Sequence, residues 1–198
     1  MLFRSERVTI SGGEPTTRSD WLQLIGFAAR LGLRVGMFTN ALAFDRGAAR
    51  RARERGLESV ALSVDGVPST HDRVRGRVGH FQTVVRAMEA AAAVGLPHSV
   101  VTHVNRRNTS ELDQVHDLVQ ASGAYAWQVQ LGTDMGNLGD HRDLLPRPQD
   151  LPRIERILAK LVRRSSMRVI ASDSIGYYGP NERTLRAHRR SGRFTGCQ

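Results

Sequence analysis

The sequence is poor in cysteine and in long apolar runs. Its 198 residues include one cysteine, Cys197, which excludes an internal disulfide framework and any metal site built from several cysteines of this chain. No apolar run approaches the roughly 20 residues that span a bilayer, and the N-terminal residues lack the apolar core of a signal peptide. We therefore expect a cytoplasmic protein with no membrane partner.

Lysine is nearly absent as well, since Lys160 is the only lysine among 29 basic residues, and the formal net charge is +10. The arginines are scattered through every segment without an accompanying stripe of aromatic residues. A phosphate-binding face would concentrate its charge. The preference for arginine over lysine therefore indicates genome composition, and we expect no nucleic-acid partner. The histidines lack the spacing of a metal site, so we expect no zinc chemistry from the following residues: His71, His80, His98, His103 and His116.

Short β-branched or apolar runs alternate along the chain with segments of helical periodicity. The predicted strands are residues 8–10, 33–38, 59–66, 98–103, 126–131 and 168–171, and helices occupy the segments between them, apart from a turn-rich loop at 67–79. Repeated strand–helix units with short connections predict an α/β fold in which helices cover a parallel sheet. Periodicity alone does not separate a (β/α) barrel from an open doubly wound sheet. The apolar residues of the helical segments are expected to face the core: Leu22, Leu24, Ile25, Phe27, Ala28 and Leu31 in the first, Leu112, Val115, Leu118 and Val119 in the one before Gly123, and Leu151, Ile154, Ile157, Leu158 and Leu161 in the last.

Polar groups follow the predicted strands at the point where each strand ends. They are Gly12, Gly13 and Glu14, then Asn40, Ser63, Asp65, Asn105 and Gln130. The carboxyl ends of parallel strands meet at one edge of a sheet, and in α/β barrels this edge forms the active site. We therefore expect these side chains to lie along a common edge.

The most informative stretch joins the first strand to the first helix. The β-branched run VTI at 8–10 is followed by SGGEP at 11–15. Two glycines let the backbone turn and approach a ligand closely, and Pro15 favours an extended Glu14. A glycine turn, a carboxylate and a helix start together predict a site for a polar small molecule. The alternative interpretation is a tight turn with a solvated glutamate.

The string GGEP at 12–15 resembles the motif by which radical S-adenosylmethionine (SAM) enzymes hold the amino group of SAM. LSVDG at 62–66 and THDRVRG at 70–76 resemble the fourth-strand segment of the peptide-modifying SPASM group. GYYGP at 176–180 and GCQ at 196–198 are similar to the linker and first cysteine of the SPASM extension. The resemblance implies a partial (β/α)6 TIM-type barrel of parallel strands with outer helices, lacking its first strand. Residues 1–165 would form this core, and 166–198 a linker toward a C-terminal cluster domain.

The resemblance also implies a chemistry. In the family, a reduced [4Fe–4S] cluster transfers an electron to SAM, and the resulting 5′-deoxyadenosyl radical abstracts hydrogen from substrate, here expected to be a peptide or protein. The backbone of Gly12 and Gly13, with Glu14, would receive the SAM amino group, and Ser63 the ribose or carboxylate side. The remaining residues that would border SAM are Asn40, Asn105 and Gln130, and Arg73 and Arg75 could meet its carboxylate. Cys197 would bind an auxiliary cluster only together with the cluster domain.

One family feature is absent from the sequence. No C-x3-C-x2-C cluster loop precedes GGEP, so we expect a fragment that is inactive alone, with its first strand exposed as an edge available for self-association. Two other interpretations stay open. One is an unrelated α/β-barrel enzyme that uses Glu14 and Asp65 as acid and base, although a turn carboxylate explains Asp65 equally well. The other is a non-catalytic partner-binding remnant.

Overall fold

The computed structural model describes residues 5–133, 136–172, 175 and 179–186. Six strands form a single sheet: β1 (Arg7–Ile10), β2 (Arg34–Thr39), β3 (Leu57–Ser63), β4 (His98–Val104), β5 (Ala126–Leu131) and β6 (Arg168–Ala171). Seven α-helices accompany the strands in the described ranges: α1 (Trp21–Arg30), α2 (Arg46–Glu54), α3 (Pro68–Arg75), α4 (His80–Ala93), α5 (Leu112–Ala121), α6 (Leu151–Arg164) and α7 (Glu182–Leu185). None of these described helices has the length and apolar character needed to cross a membrane.

The strands lie side by side in chain order, and every neighbouring pair is parallel. A doubly wound sheet would reverse its strand order at a switch point, whereas this sheet continues in one direction as a TIM-type barrel does. Within the described residues, β1 pairs only with β2 and β6 only with β5, so the sheet is open. The predicted partial barrel of parallel strands is confirmed.

A buried tryptophan ties the middle strands together. Trp127 of β5 is fully buried, and its Nε1–H donates to Thr102 Oγ1 of β4 at 2.8 Å. Thr102 Oγ1 in turn donates to the carbonyl of Val64 at 2.6 Å, just beyond β3. The indole thereby buries a large apolar surface without leaving its polar N–H unpaired.

The loop predicted at 67–79 is wrong, because α3 occupies most of it. Pro68 stands at the first helical position after an extended Val67, and Gly76 ends the helix with a left-handed φ of 64°. Proline at the start and glycine just past the end are helix boundary signals as well as turn signals. In a segment this short, eight residues from Pro68 to Arg75, the two meanings are not distinguishable by composition.

Several predicted core positions are also wrong. Leu24, Phe27 and Leu31 of the first helical segment are 37%, 57% and 57% exposed, whereas Ile25, predicted on the same face, is buried together with Trp21 and Gly26. Leu118 of α5 and Leu151 of α6 are exposed to a similar degree, at 40% and 38%. A helix that packs on one side of a sheet buries only a stripe, and this stripe is narrower than the predicted apolar faces.

Candidate functional site

The glycine turn lies open at the carboxyl end of β1. Ser11, Gly12 and Gly13 are exposed, and a Cβ added to either glycine would meet no atom within 4 Å. Gly12 has a φ of 115°, a conformation that other residues adopt only with strain. The turn therefore presents bare backbone at the sheet edge where ligands of parallel α/β folds bind.

Glu14 links this turn to the end of β2. Its Oε1 accepts hydrogen bonds from Thr16 N at 3.1 Å, Thr16 Oγ1 at 2.7 Å and Thr39 Oγ1 at 2.7 Å. Its Oε2 accepts one from the backbone N–H of Asn40 at 2.6 Å. A carboxylate has about four lone-pair sites, so most of the acceptor capacity of Glu14 is used within the protein. The carboxylate therefore links the ends of β1 and β2, and its Oε2 can accept one further hydrogen bond.

Asn40 begins a strained turn after β2. Its side-chain Oδ1 accepts from Leu42 N at 3.0 Å, and Ala41 N–H donates to Thr39 Oγ1 at 3.1 Å. Ala41 has a φ of 72°, the only positive φ outside glycine in the described residues. Such a conformation persists only where surrounding contacts determine it, and it marks functional sites more often than chance.

Two histidines lie beneath this turn. His71 of α3 and His80 of α4 are buried, and their ring planes are parallel to within 2° with centroids 5.0 Å apart. Burial lowers the pKa of His71 to about 4, and burial likewise lowers the pKa of His80. The spacing of the histidines in the sequence excluded a metal site and indicated no other role for these two residues. Their position after a strand end and at a helix start was the available signal.

Asp65 is a buried structural carboxylate. It is 3% exposed, its Oδ1 accepts from His103 N at 2.8 Å, and its Oδ2 pairs with Arg75 at 2.6 Å. Its backbone carbonyl accepts from Asn108 Nδ2 at 3.0 Å. This geometry supports the turn-carboxylate interpretation over the acid–base one, because both oxygens already face protein donors. Arg73, by contrast, is exposed.

The ends of β4 and β5 are held by side-chain amides. Asn105 is buried, and its Oδ1 accepts from Arg107 N at 2.9 Å within its own loop. Gln130 Nε2 contacts His103 Nε2, which joins the ends of the two strands. Ser63 ends β3 in a half-buried position. The predicted residues thus lie at the carboxyl ends of the strands as expected. Most of their polar atoms make hydrogen bonds within the protein that hold these strand ends together.

A cavity of about 540 Å³ opens at this edge. Five of the predicted residues line it, and they are Asn40, Asp65, Arg73, Arg75 and Asn105. Other lining residues include Arg77, His80, His103 and His141. Its lining residues do not include the other predicted residues, which are Gly12, Gly13, Glu14, Ser63 and Gln130. The volume lies in the range of small-molecule sites, about 300–1,000 Å³, and the lining is rich in cations.

Comparison with known proteins supplies the family. A model of the radical SAM superfamily matches residues 2–119. The chain belongs to the radical SAM superfamily. An AdoMet-dependent heme synthase of Methanosarcina barkeri is 29% identical over 170 residues, which cover 85% of this chain and 48% of that relative. The mycofactocin maturase MftC of Mycobacterium ulcerans is 34% identical over 119 residues, covering 59% of this chain and 30% of MftC.

The radical SAM chain spans about half or less of the length of these curated relatives. Among solved structures, Streptococcus suis SuiB bound to S-adenosylmethionine matches with a TM-score of 0.69 at 15% identity, covering 84% of this chain and 39% of SuiB. At that identity the likeness establishes a shared fold. The fold and the family together make this chain part of an enzyme class.

Radical SAM enzymes use SAM and a [4Fe–4S] cluster held by cysteine thiolates. The open turn at Gly12 and Gly13 and the neighbouring cavity fit SAM by volume and by their free backbone. The residues present do not fit the cluster. The 198-residue sequence has one cysteine, Cys197, which lies outside the described residues, and no group of three or more His, Cys, Asp or Glu in the described part could hold a metal ion.

Proposed function

We propose that this chain is the SAM-binding core of a radical SAM enzyme that modifies a peptide or protein. The proposal rests chiefly on the open Gly12–Gly13 turn, which lies at the carboxyl edge of the sheet and within the span matched by the superfamily model. We keep the division into a core of residues 1–165 and a linker from 166 as part of the proposal.

Each edge residue has a proposed role. The backbone of Gly12 and Gly13, with the remaining acceptor site of Glu14, receives the SAM amino group, and the hydroxyl of Ser63 meets the ribose or carboxylate side. Asn40, Asn105 and Gln130 border the rest of the molecule. When bound, SAM supplies a sulfonium that yields a 5′-deoxyadenosyl radical on one-electron reduction. No reductive step is assigned to these 198 residues, because one cysteine cannot supply the family's three thiolates.

Gly13→Ala tests the binding site directly. A methyl group at Gly13 meets no atom of the protein within 4 Å, and the residue has no positive φ, so the variant should fold with an unchanged unfolding midpoint. The methyl would nevertheless occupy the backbone approach proposed for SAM. We expect the dissociation constant for SAM, measured by calorimetry, to rise about tenfold or more, equivalent to a loss of about 1.4 kcal/mol.

Gly26→Ala is the matched control. Gly26 is buried in α1 away from the turn, and its added Cβ would make ordinary contacts at 3.5 Å and beyond. SAM affinity should be unchanged in this variant. Absence of SAM binding by the wild-type chain would favour the non-catalytic partner-binding interpretation, and equal affinity of Gly13→Ala and wild type would place SAM elsewhere. Family membership already removes the unrelated-barrel alternative.

Anaerobic reconstitution with iron and sulfide tests whether this chain binds SAM without assembling a cluster of its own. We expect this chain alone to assemble no stoichiometric [4Fe–4S] cluster and to release no 5′-deoxyadenosine from SAM, since a cluster needs more thiolates than Cys197. The measurements are iron content, visible absorption and chromatography of the nucleoside. A stoichiometric cluster with SAM cleavage would contradict the assignment of this chain to SAM binding alone.

A carboxylate-bearing tetrapyrrole is the second candidate substrate. The heme synthase likeness covers 85% of this chain, and the cavity lining includes Arg73 and Arg77, which are exposed and have no acidic partner among the described contacts. The peptide assignment rests on relatives such as MftC and a PqqA peptide cyclase of Rhizobium meliloti. Absorbance titration with an iron porphyrin that carries propionates separates the two, because tight binding abolished by Arg73→Gln would favour the tetrapyrrole.

We also propose that two copies associate through the β1 edge. Among described residues β1 pairs only with β2, and an unpaired edge can accept another strand. Phe27 of α1 and Leu31, which follows α1, add exposed apolar surface, each 57% exposed. Light scattering across a concentration series should show a dimer that Phe27→Arg weakens and that Val78→Arg, at a 97% exposed loop position, does not. A monomer at all concentrations would contradict this proposal.

A further inference from the structure

Three hydrogen bonds connect the end of β3 to the turn after β2 through two histidine rings. The backbone N–H of Asp65 donates to His71 Nδ1 at 3.0 Å. His71 Nε2 lies 2.8 Å from His80 Nδ1, and His80 Nε2 lies 2.9 Å from the carbonyl oxygen of Asn40. We call this chain of contacts the histidine relay.

The two ends of the relay fix every proton within it. The Asp65 amide can only donate, so His71 Nδ1 must carry a lone pair, and the Asn40 carbonyl can only accept, so His80 Nε2 must carry a proton. The middle contact then forms when His71 Nε2–H donates to an unprotonated His80 Nδ1. Both rings are therefore neutral Nε2–H tautomers. A further proton on either ring would set two donors against each other.

The relay ends on the most constrained part of the edge. The Asn40 carbonyl belongs to the peptide that precedes Ala41, whose φ is 72°. The Asn40 N–H on the other side donates to Glu14 Oε2 at 2.6 Å. A continuous path of hydrogen bonds thus runs from the loop after β3, through His71 and His80, to the turn after β2 and on to the glutamate beside the glycine turn.

We propose that His71 and His80 are positioning residues that hold the Asn40–Ala41 turn in its SAM-binding conformation, and that they do so only while both rings are neutral. This inference rests on the proposed function for its consequence, but its structural part stands on the relay alone. Asn40 and the glycine turn lie at neighbouring strand ends, and Glu14 bridges them. Release of the Asn40 carbonyl would therefore loosen both proposed SAM contacts.

The charges around the relay are mixed, and burial decides its protonation. Asp65 after β3, Asp72 and Arg75 of α3 and the neighbouring ring of His80 face His71. Asp72, Arg75 and Arg77 face His80 from α3 and the loop that follows. The carboxylate of Asp65 is compensated by Arg75 at 2.6 Å, so it offers little to a histidinium. His71 itself is fully buried.

The first experiment reads the tautomers directly. Long-range ¹H–¹⁵N spectra of the wild-type chain distinguish Nε2–H, Nδ1–H and doubly protonated rings. We expect His71 and His80 to remain Nε2–H between pH 8 and about 5.5, where histidines of the unfolded chain are becoming charged. An Nδ1–H tautomer or a charged ring at either position in this interval would overturn the relay. This measurement needs neither SAM nor a variant.

The second experiment separates positioning from general stability. His80→Phe removes both contacts, whereas His80→Gln keeps a donor for the Asn40 carbonyl. We expect the Ala41 and Leu42 amides to exchange faster in His80→Phe and the dissociation constant for SAM to rise about tenfold, with His80→Gln restoring most of both. His98→Phe is the control, because His98 is similarly buried, at 4%. His98 begins β4 and therefore lies at the amino ends of the strands, opposite the relay.

The outcomes distinguish this inference from the proposed function. Loosened amides and weakened SAM binding in His80→Phe, without either effect in His98→Phe, support positioning by the relay. Unchanged exchange and affinity in His80→Phe would overturn it. If the wild-type chain binds no SAM, the proposed function fails and the positioning role fails with it, while the tautomers still decide whether the relay exists. If His80→Phe does not fold, the wild-type tautomers and His80→Gln decide.

Discussion

Replacing Glu14 by glutamine removes the charge and one acceptor oxygen of the carboxylate that joins the glycine turn to the end of β2. An amide has one oxygen and one NH2 where the carboxylate has two acceptors. If the amide oxygen takes the position of Oε1, the NH2 faces the Asn40 N–H. If it takes the position of Oε2, the NH2 faces the Thr16 N–H. Either orientation leaves one backbone donor without its acceptor.

The magnitude follows from the kind of bond that is lost. The carboxylate accepts the Asn40 N–H at 2.6 Å and the Thr16 N–H at 3.1 Å, both in partly buried positions. A hydrogen bond to a charged group contributes about 1.5–3 kcal/mol, so we expect Glu14→Gln to destabilise the fold by about 2 kcal/mol. For a domain of this size each kcal/mol moves the midpoint by about 2–4 °C, which gives about 4–8 °C.

Urea and thermal unfolding measure this loss, with Glu54→Gln as the control. Glu54 is exposed and its pair with Arg50 spans 3.9 Å, so neutralising it should change stability by less than about 0.5 kcal/mol. A Glu14→Gln variant that unfolds within about 0.5 kcal/mol of the wild type would refute the reasoning. That result would mean that solvent replaces the lost acceptor and that Glu14 does not hold the two strand ends together.

Two further predictions concern the rest of the edge. Asp65→Asn should lower the free energy of unfolding in urea by about 3 kcal/mol, because it leaves the largely buried guanidinium of Arg75 without its carboxylate. A loss under about 1 kcal/mol would mean that the ion pair is solvated. Stability should also fall as the pH drops from about 6.5 to about 4, because His71, with its pKa lowered to about 4, stays neutral in the folded chain while the unfolded chain binds a proton. Lowering the pKa of His71 from 6.5 to about 4 corresponds to about 3 kcal/mol of folding stability, which is present above pH 6.5 and lost on acidification. A free energy of unfolding in urea that does not change across this interval would contradict the prediction.

Local patterns predicted much of the fold. The bounds of β5 and β6 match the predicted 126–131 and 168–171, because short runs of apolar and β-branched residues bounded by turn residues are typical of strands. Asp45 caps α2 by accepting from Ala48 N at 2.7 Å, a helix start signal that a sequence shows within four residues. These features depend on neighbours within a few residues, which a sequence displays directly.

Features with two local meanings were predicted less well. The segment that contains α3 has the proline, glycine and polar residues of a loop, and the same residues also begin and end a short helix. Only part of the predicted apolar face of α1 is buried, for a related reason. Leu24, Phe27 and Leu31 are apolar, but the packing partners of Trp21, Ile25 and Gly26 decide which stripe is buried.

The sequence by itself determined that this chain is a parallel α/β protein with polar groups at its strand ends, and its motifs pointed to radical SAM chemistry. Only the tertiary structure decided what those groups do to one another. Asp65, His71, His80, Asn40 and Glu14 form one hydrogen-bonded path although they belong to different elements. Hydrogen bonds act over about 3 Å and in one direction, so a path across strand ends exists only after the sheet has brought those ends together.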